Sequence, residues 1–312
     1  MKITLWIVAG LSVLLVAASV AAAIFMLKVA LSVDNITITV EETIANKKEQ
    51  EPRMVPWIDS LYAGAIKDTI ITINGQKAAA HYVAAKNPTD KTAFLIHGYT
   101  TNHAAMLSLG YMYNHDLGYN IFMPDLYAHG QSEGDHIRMG WLDRLDVLRW
   151  MDIANEVFGG NTQMIVHGVS MGAATAMNVS GEAPKPYVKA FIEDCGYTSA
   201  WDEFRHELKK KYHLPPFPVL SLSSLICRKK YGWDFKEASP LKQVAKCSLP
   251  MMFIHGEMDD FVPTRMVHSL YEAKEGAKEL WTVPETTHAM SYKNYPEEYT
   301  ERVKNFLDKY IK

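Results

Sequence analysis

At 312 residues the chain is longer than a typical domain, but α/β proteins often spend this much on one. With 48% hydrophobic and 21% charged residues it has the composition of a globular protein with a large core, and its net charge of −3 argues against a general affinity for nucleic acid. Its three cysteines, Cys195, Cys227 and Cys247, are too few for a disulfide framework and lack metal-ligand spacing. Cys227 and Cys247 remain candidates for a pair, and Cys195 reads as a buried thiol in an apolar strand.

Residues 3–27 are an almost unbroken apolar run between Lys2 and Lys28, long enough to cross a bilayer with some tilt. A secretory signal is the competing reading, with Ala21-Ala22-Ala23 as its small-residue cleavage site. The run continues through Ile24, Phe25, Met26 and Leu27, which favours an uncleaved anchor over residues 1–28. With the amino terminus inside, the rest of the chain lies outside the cytoplasm at the cell membrane, or is secreted if the segment is cut. Residues 29–66 are mixed and polar, with a charged run at 41–51, and read as a stalk or linker interrupted by Pro52 and Pro56. The globular domain is expected over 67–312.

Within it, residues 69–73 and 78–84 flank Asn74-Gly75, a strong hairpin signal. Short apolar runs of the kind buried in parallel sheets follow at 92–98, 120–125, 163–169, 187–192, 249–256 and 279–283. Helical patterns separate them: one at 103–115, one striped by Trp141, Leu145, Leu148, Met151, Ala154 and Phe158, and a terminal one striped by Tyr299, Val303, Phe306 and Tyr310. This alternation predicts an α/β fold with a mostly parallel, eight-stranded type of sheet flanked by helices, whose ligands bind beyond the carboxyl ends of the strands. His97, His167 and His255 close three of the strands and read as structural histidines satisfied by nearby backbone. The helix-borne zinc pattern His-Glu-x-x-His is absent, and neither metal nor cofactor is expected.

The most informative stretch is Gly168-Val169-Ser170-Met171-Gly172, preceded by an apolar strand and followed by small, helix-favouring residues. A strand that reverses into a helix around one serine holds it in a strained conformation with its hydroxyl exposed, and a Cβ at either glycine would collide with a neighbouring element. A serine hydroxyl needs a base and a group to orient that base, and in this arrangement they follow in the order acid, then histidine. Asp259 and Asp260 lie just after the strand ending His255-Gly256, and His288 just after the last strand, all at the strand edge that carries Ser170. His268, in a predicted helix, and His206, in a charged segment, are the weaker histidines.

The chain resembles the α/β-hydrolase superfamily, and is similar to bacterial extracytoplasmic hydrolases of the serine-aminopeptidase-like and esterase-like branch. The resemblance is carried by Leu95-Ile96-His97-Gly98-Tyr99-Thr100, by the stretch from Asp125 to Gly134, by the elbow around Ser170, by His255-Gly256-Glu257-Met258-Asp259-Asp260-Phe261-Val262-Pro263, and by Thr287-His288-Ala289-Met290. It covers roughly residues 69–311. It implies that the acid is Asp259, four residues after His255, and that the oxyanion hole uses the backbone N–H of Met171 and of Tyr99. One departure is His129, where relatives often carry arginine; its effect is expected on loop packing more than on chemistry. The resemblance also implies a cap from the insertion at about 196–245, rich in aromatics and prolines, whose Lys209-Lys210-Lys211 and Arg228-Lys229-Lys230 read as solvated surface. The expected function is hydrolysis of a small carboxylic ester through an acyl-enzyme. An aminopeptidase or amidase with the same triad is the alternative, and a non-catalytic binding or sensor module stands further off.

Overall fold

The computed structural model describes residues 2–73 and 75–312. The strands are β1 (Lys67–Ile73), β2 (Gln76–Val83), β3 (Lys91–Ile96), β4 (Asn120–Pro124), β5 (Gln163–Val169), β6 (Val188–Asp194), β7 (Met251–Gly256) and β8 (Lys278–Val283). They form one sheet in the order β1-β2-β4-β3-β5-β6-β7-β8, antiparallel from β1 to β4 and parallel from there on. This is the α/β-hydrolase arrangement that the sequence predicts. The β1–β2 register closes at Ile73 and Gln76, and Gly75 has φ +83, as a tight hairpin turn requires. Asn74, the other half of that turn signal, lies outside the described residues.

The central parallel strands each carry a continuous buried apolar run, at 93–96, 121–123, 164–166, 190–192 and 251–254, because both faces are covered. Along β3, Phe94 and Ile96 join one cluster while Ala93 and Leu95 join the other; β5 and β7 alternate likewise, with Val166 and Phe253 opposed to Ile165 and Ile254. The helices are α1 (Lys2–Leu31), α2 (Val40–Gln50), α3 (Val55–Ser60), α4 (Leu107–Tyr111), α5 (Asp143–Val157), α6 (Met171–Ser180), α7 (Ala200–Tyr212), α8 (Val219–Tyr231), α9 (Pro240–Val244), α10 (Arg265–Ala273), α11 (Ser291–Asn294) and α12 (Pro296–Leu307). α7 to α9 occupy the insertion between β6 and β7.

Several local expectations shift. The helix at 103–115 is a composite of a 3-10 turn, α4 and a wider π turn. α5 begins only at Asp143, because Met139 and Gly140 take positive φ and leave Trp141 in a turn. Cys195 is not in a strand: β6 ends at Asp194, and Cys195 turns away with φ +55. All three cysteines are buried free thiols, so Cys227 and Cys247 do not pair.

Residues 29–66, read as a stalk, pack on the body instead. α2 starts with a reciprocal cap, Thr39 Oγ1 accepting from the Glu42 backbone and the Glu42 carboxylate accepting from the Thr39 N–H. Its charged sequence hides a narrow packed face. Asn102 Nδ2 donates to Thr43 Oγ1 at 3.1 Å, Lys47 Nζ donates to Ser108 Oγ at 2.7 Å, and Met54, Ile58 and Leu61 are buried beyond it.

The apolar run forms the single long helix α1, and a 23-residue stretch of it, Ala9–Leu31, is long and apolar enough to cross a membrane. Its last turns are not free. Ala23, Leu27 and Leu31 are buried, the Ser223 hydroxyl of α8 donates to Ala23 O at 3.0 Å, and Ile137 N donates to Leu31 O at 2.9 Å.

Candidate active site

The elbow follows from steric necessity. Ser170 joins β5 to α6 with φ 58 and ψ −119, a region that non-glycine residues rarely enter. A Cβ on Gly168 would lie 2.0 Å from Gly172 O, and one on Gly172 would lie 2.0 Å from Ile96 O on β3. Only glycines let strand, serine and helix approach this closely.

The loops after β7 and β8 deliver two further side chains to the same sheet edge. His288 Nε2 is 2.8 Å from Ser170 Oγ, and His288 Nδ1 is 2.7 Å from Asp259 Oδ2. Asp259 Oδ1 accepts the backbone N–H groups of Phe261 and Val262, each at 3.0 Å. Burial alone would raise the Asp259 pKa, but hydrogen bonds from His255 and His288 outweigh it and hold the carboxyl down at about 2. Asp260 points away, exposed and paired with Lys210 at 2.8 Å. His268 is exposed, and His206 bonds the Asp260 carbonyl; neither approaches Ser170. Of the acidic and histidine candidates, Asp259 and His288 are the ones brought to the serine.

The loop after β3 passes over the serine: a Cβ on Gly98 would sit 3.5 Å from Ser170 Cβ. The Tyr99 hydroxyl donates to Ala30 O at 2.9 Å and accepts from Asn35 at 3.1 Å, so the loop is tied to the end of α1. His129 braces it from the other side. Its Nε2 accepts the Thr100 N–H at 3.3 Å while Nδ1 donates to Tyr127 O at 2.8 Å, and burial lowers its pKa and keeps it neutral. The residue that departs from the family pattern thus holds the loop in place.

The strand-end histidines divide. His97 meets backbone as expected, Nδ1 donating to Gly98 O and Nε2 accepting from Leu126 N, with burial lowering its pKa to about 3. His167 is satisfied by side chains, the hydroxyls of Tyr113 and Tyr299, each at 3.0 Å. His255 bonds Val262 O at 2.8 Å and also lies 3.3 Å from Asp259 Oδ2, a contact with the acid that the sequence reading missed. Its spacing of four from Asp259 was the available signal.

Two cavities meet at Ser170. One, of about 160 Å³, is apolar and runs between α1 and the cap, walled by Met26, Val29, Leu208, Leu220 and Phe235. Glu203 is buried in its wall with neither carboxyl oxygen hydrogen-bonded, and burial, reinforced by Glu207 and Asp259, holds it well above the usual carboxylate range. The other, of about 300 Å³, is a more polar groove beside His288 with Lys47, Glu51, Asp194 and Lys293 on its walls. A separate buried group, His81, His103 and Asp125, has its ligand atoms within 4.8 Å of one another. The two rings stack at 3.4 Å and both aim a nitrogen at Asp125, His103 Nδ1 at 3.1 Å and His81 Nε2 at 3.3 Å, while Asp125 also accepts from the backbone of His103 and Gln131. These bonds tie β2 and the loop after β3 to the end of β4.

The sequence profile of the prolyl oligopeptidase family matches residues 138–312, which hold Ser170, Asp259 and His288. The chain belongs to the prolyl oligopeptidase family. As a member of that family it is a serine hydrolase. It is 32% identical to the protein YqkD of Bacillus subtilis over 228 residues, covering 73% of this chain and 74% of that one. It is 22% identical to YfhR of Escherichia coli K12, covering 61% of this chain and 60% of YfhR. Among solved structures, the Pyrococcus furiosus esterase Pf2001 superposes with a TM-score of 0.64 at 24% identity, over 79% of this chain and 92% of the esterase. The acylaminoacyl peptidase of Pyrococcus horikoshii superposes with a TM-score of 0.58 at 14% identity, over 80% of this chain and 42% of the peptidase. These two likenesses show a shared fold.

Proposed function

We propose that this hydrolase cleaves a carboxylic ester through an acyl-enzyme formed on Ser170. Ser170 Oγ attacks the carbonyl carbon as its proton passes to His288 Nε2. Asp259 orients the imidazole and stabilises its charged form. The backbone N–H groups of Tyr99 and Met171 hold the oxyanion, whose charge develops only on the way to the tetrahedral intermediate. His288 then returns the proton to the departing alkoxide oxygen, and water repeats the sequence to free the acid and restore Ser170. The observation that most supports this reading is the unbroken hydrogen-bonded line from Asp259 through His288 to a serine held at positive φ.

An amide substrate with a free amine is the second reading. The unpartnered carboxyl oxygens of Glu203, 4% exposed in the cavity wall beside Ser170, are the groups a protonated amine would meet. We further propose that α1 is retained as a single-pass anchor that leaves the body, with α7 to α9 as its cap, outside the cytoplasm. The packing of Ala23, Leu27 and Leu31 on the body supports this reading.

The test is fluorophosphonate labelling together with turnover of p-nitrophenyl esters and aminoacyl p-nitroanilides. Wild type should label and cleave the esters; Ser170→Ala should do neither, and His288→Ala should label far more slowly. Equal ester turnover by wild type and Ser170→Ala would refute the nucleophile. Absence of labelling in folded wild type would point to a non-catalytic module. If Glu203→Gln lowers kcat/KM about tenfold or more on the anilides and leaves the esters unaffected, the amide reading replaces the ester one.

A further inference from the structure

The same helix that is apolar enough to cross a membrane forms part of the wall of the cavity holding Ser170. Met26, Val29 and Ala30 of α1 line it together with residues of the cap. Ser19 and Val20 are already half-buried, and residues 2–18 ahead of them cover about 25 Å at 1.5 Å per residue, close to the thickness of a hydrocarbon core. A helix spanning a bilayer with that segment would therefore bring the cavity wall to the membrane surface.

The adjoining surface has matching chemistry. Phe25 on α1 is 58% exposed, and Leu225 on α8, two residues beyond the Ser223 that bonds Ala23, is 49% exposed. Phe217, in the turn between the two long cap helices, is 74% exposed. Both of those helices end in exposed basic triplets, Lys209-Lys210-Lys211 and Arg228-Lys229-Lys230. Exposed apolar side chains with lysines and arginines nearby are what an anionic bilayer surface accepts. The site itself is two-sided in the same sense, with an apolar cavity on one side of Ser170 and a groove bearing Lys47 and Lys293 on the other.

We propose that the ester cleaved here carries a long acyl chain and is drawn from the lipid bilayer. The chain lies in the cavity between α1 and the cap, and the polar part of the lipid lies in the Lys47–Lys293 groove. This rests on the ester reading above. In the first half-reaction the acyl carbon passes from the lipid oxygen to Ser170 Oγ and the lipid alcohol leaves with the proton from His288. In the second, water takes the acyl group and a fatty acid is released.

The experiment uses the full chain reconstituted in vesicles of phosphatidylethanolamine and phosphatidylglycerol. Released fatty acid is followed by mass spectrometry, and kcat/KM is compared on p-nitrophenyl dodecanoate and p-nitrophenyl acetate. Each buried methylene contributes about fourfold, so wild type should prefer the dodecanoate by well over tenfold and should release fatty acid from the vesicles. Val29→Trp, and independently Ala30→Phe, should cut the dodecanoate-to-acetate ratio at least tenfold, with fluorophosphonate labelling of Ser170 reporting that each variant is folded. A wild-type ratio near one, or a ratio unchanged in both labelled variants, overturns the acyl cavity while leaving the hydrolase reading intact. A high ratio without release from vesicles overturns the bilayer as the source and points to a soluble acyl ester. Failure to cleave or label at all would instead defeat the hydrolase reading itself.

Discussion

At the scale of single residues, the site depends on which atom of each side chain donates. Asp259 Oδ1 is occupied by two backbone N–H groups, so Oδ2 is the atom left to accept from His288 Nδ1. An asparagine there would keep its carbonyl on the backbone donors and turn its NH₂ toward His288. The imidazole would then have to accept at Nδ1 and carry its proton on Nε2, the tautomer that has no lone pair for the Ser170 proton. Asp259→Asn should therefore lower kcat on a p-nitrophenyl ester by about 10⁴-fold with the fold retained. A loss below tenfold would remove Asp259 from the proposed triad. His255 touches the same carboxyl and sits between it and buried Glu193, which lowers the cost of keeping a charged aspartate away from solvent.

At the scale of elements, the end of the first helix and the loop after the third strand are joined by one hydroxyl. Tyr99 leads the loop over Ser170 and bonds both the end of α1, at Ala30 O, and Asn35 just beyond it. Asn35 in turn donates to Val29 O at 2.8 Å, so the helix end, the turn after it and the loop over Ser170 form one hydrogen-bonded unit. Tyr99→Phe removes two of these bonds and should cost about 1 kcal/mol of stability, roughly 2 °C in Tm. It should also lower kcat/KM severalfold by loosening the backbone donor. A lowered Tm with kcat/KM unchanged would show that α1 and the loop are not coupled.

At the scale of the whole molecule, several titratable groups are buried together, and they act on stability in opposite directions. Burial raises Glu193 to about 8, Asp143 to about 7 and Asp194 to about 6. These carboxyls keep protons in the folded chain that the unfolded chain gives up, so the stability they contribute is complete below about pH 4 and is lost as pH rises through 6 to 8. His97 and His167, lowered by burial to about 3, act the other way, and their contribution is lost as pH falls from about 6.5. His81 and His255 are pulled down by burial but raised on balance by their carboxylate partners, and they add to the loss at higher pH. Above pH 6.5 the shifted carboxyls and histidines therefore act in one direction. Tm should fall by a few degrees between pH 6.5 and 8.5, and Glu193→Gln, which keeps an acceptor for the Gly196 N–H, should flatten that slope. A Tm that rises over this interval would contradict the assignment.

The strands and the elbow were legible in the sequence because their causes are local. A strand buried on both faces must be continuously apolar, as residues 93–96 and 251–254 are, and a serine held at positive φ between a strand and a helix demands glycines at 168 and 172. His288 and the pair Asp259 and Asp260 followed because they come shortly after strands, which assigns them to an edge; choosing Asp259 within the pair took the family resemblance. What the local pattern left open was decided by contacts between distant segments. Ala23 meets Ser223, Thr43 meets Asn102, and Tyr99 meets Ala30, and none of these leaves a periodic trace in either partner. So the charged stretch read as a stalk became part of the body, and the apolar run read as an anchor also became a wall of the cavity. A free-energy gain from packing two surfaces belongs to the pair, and neither sequence segment carries it alone.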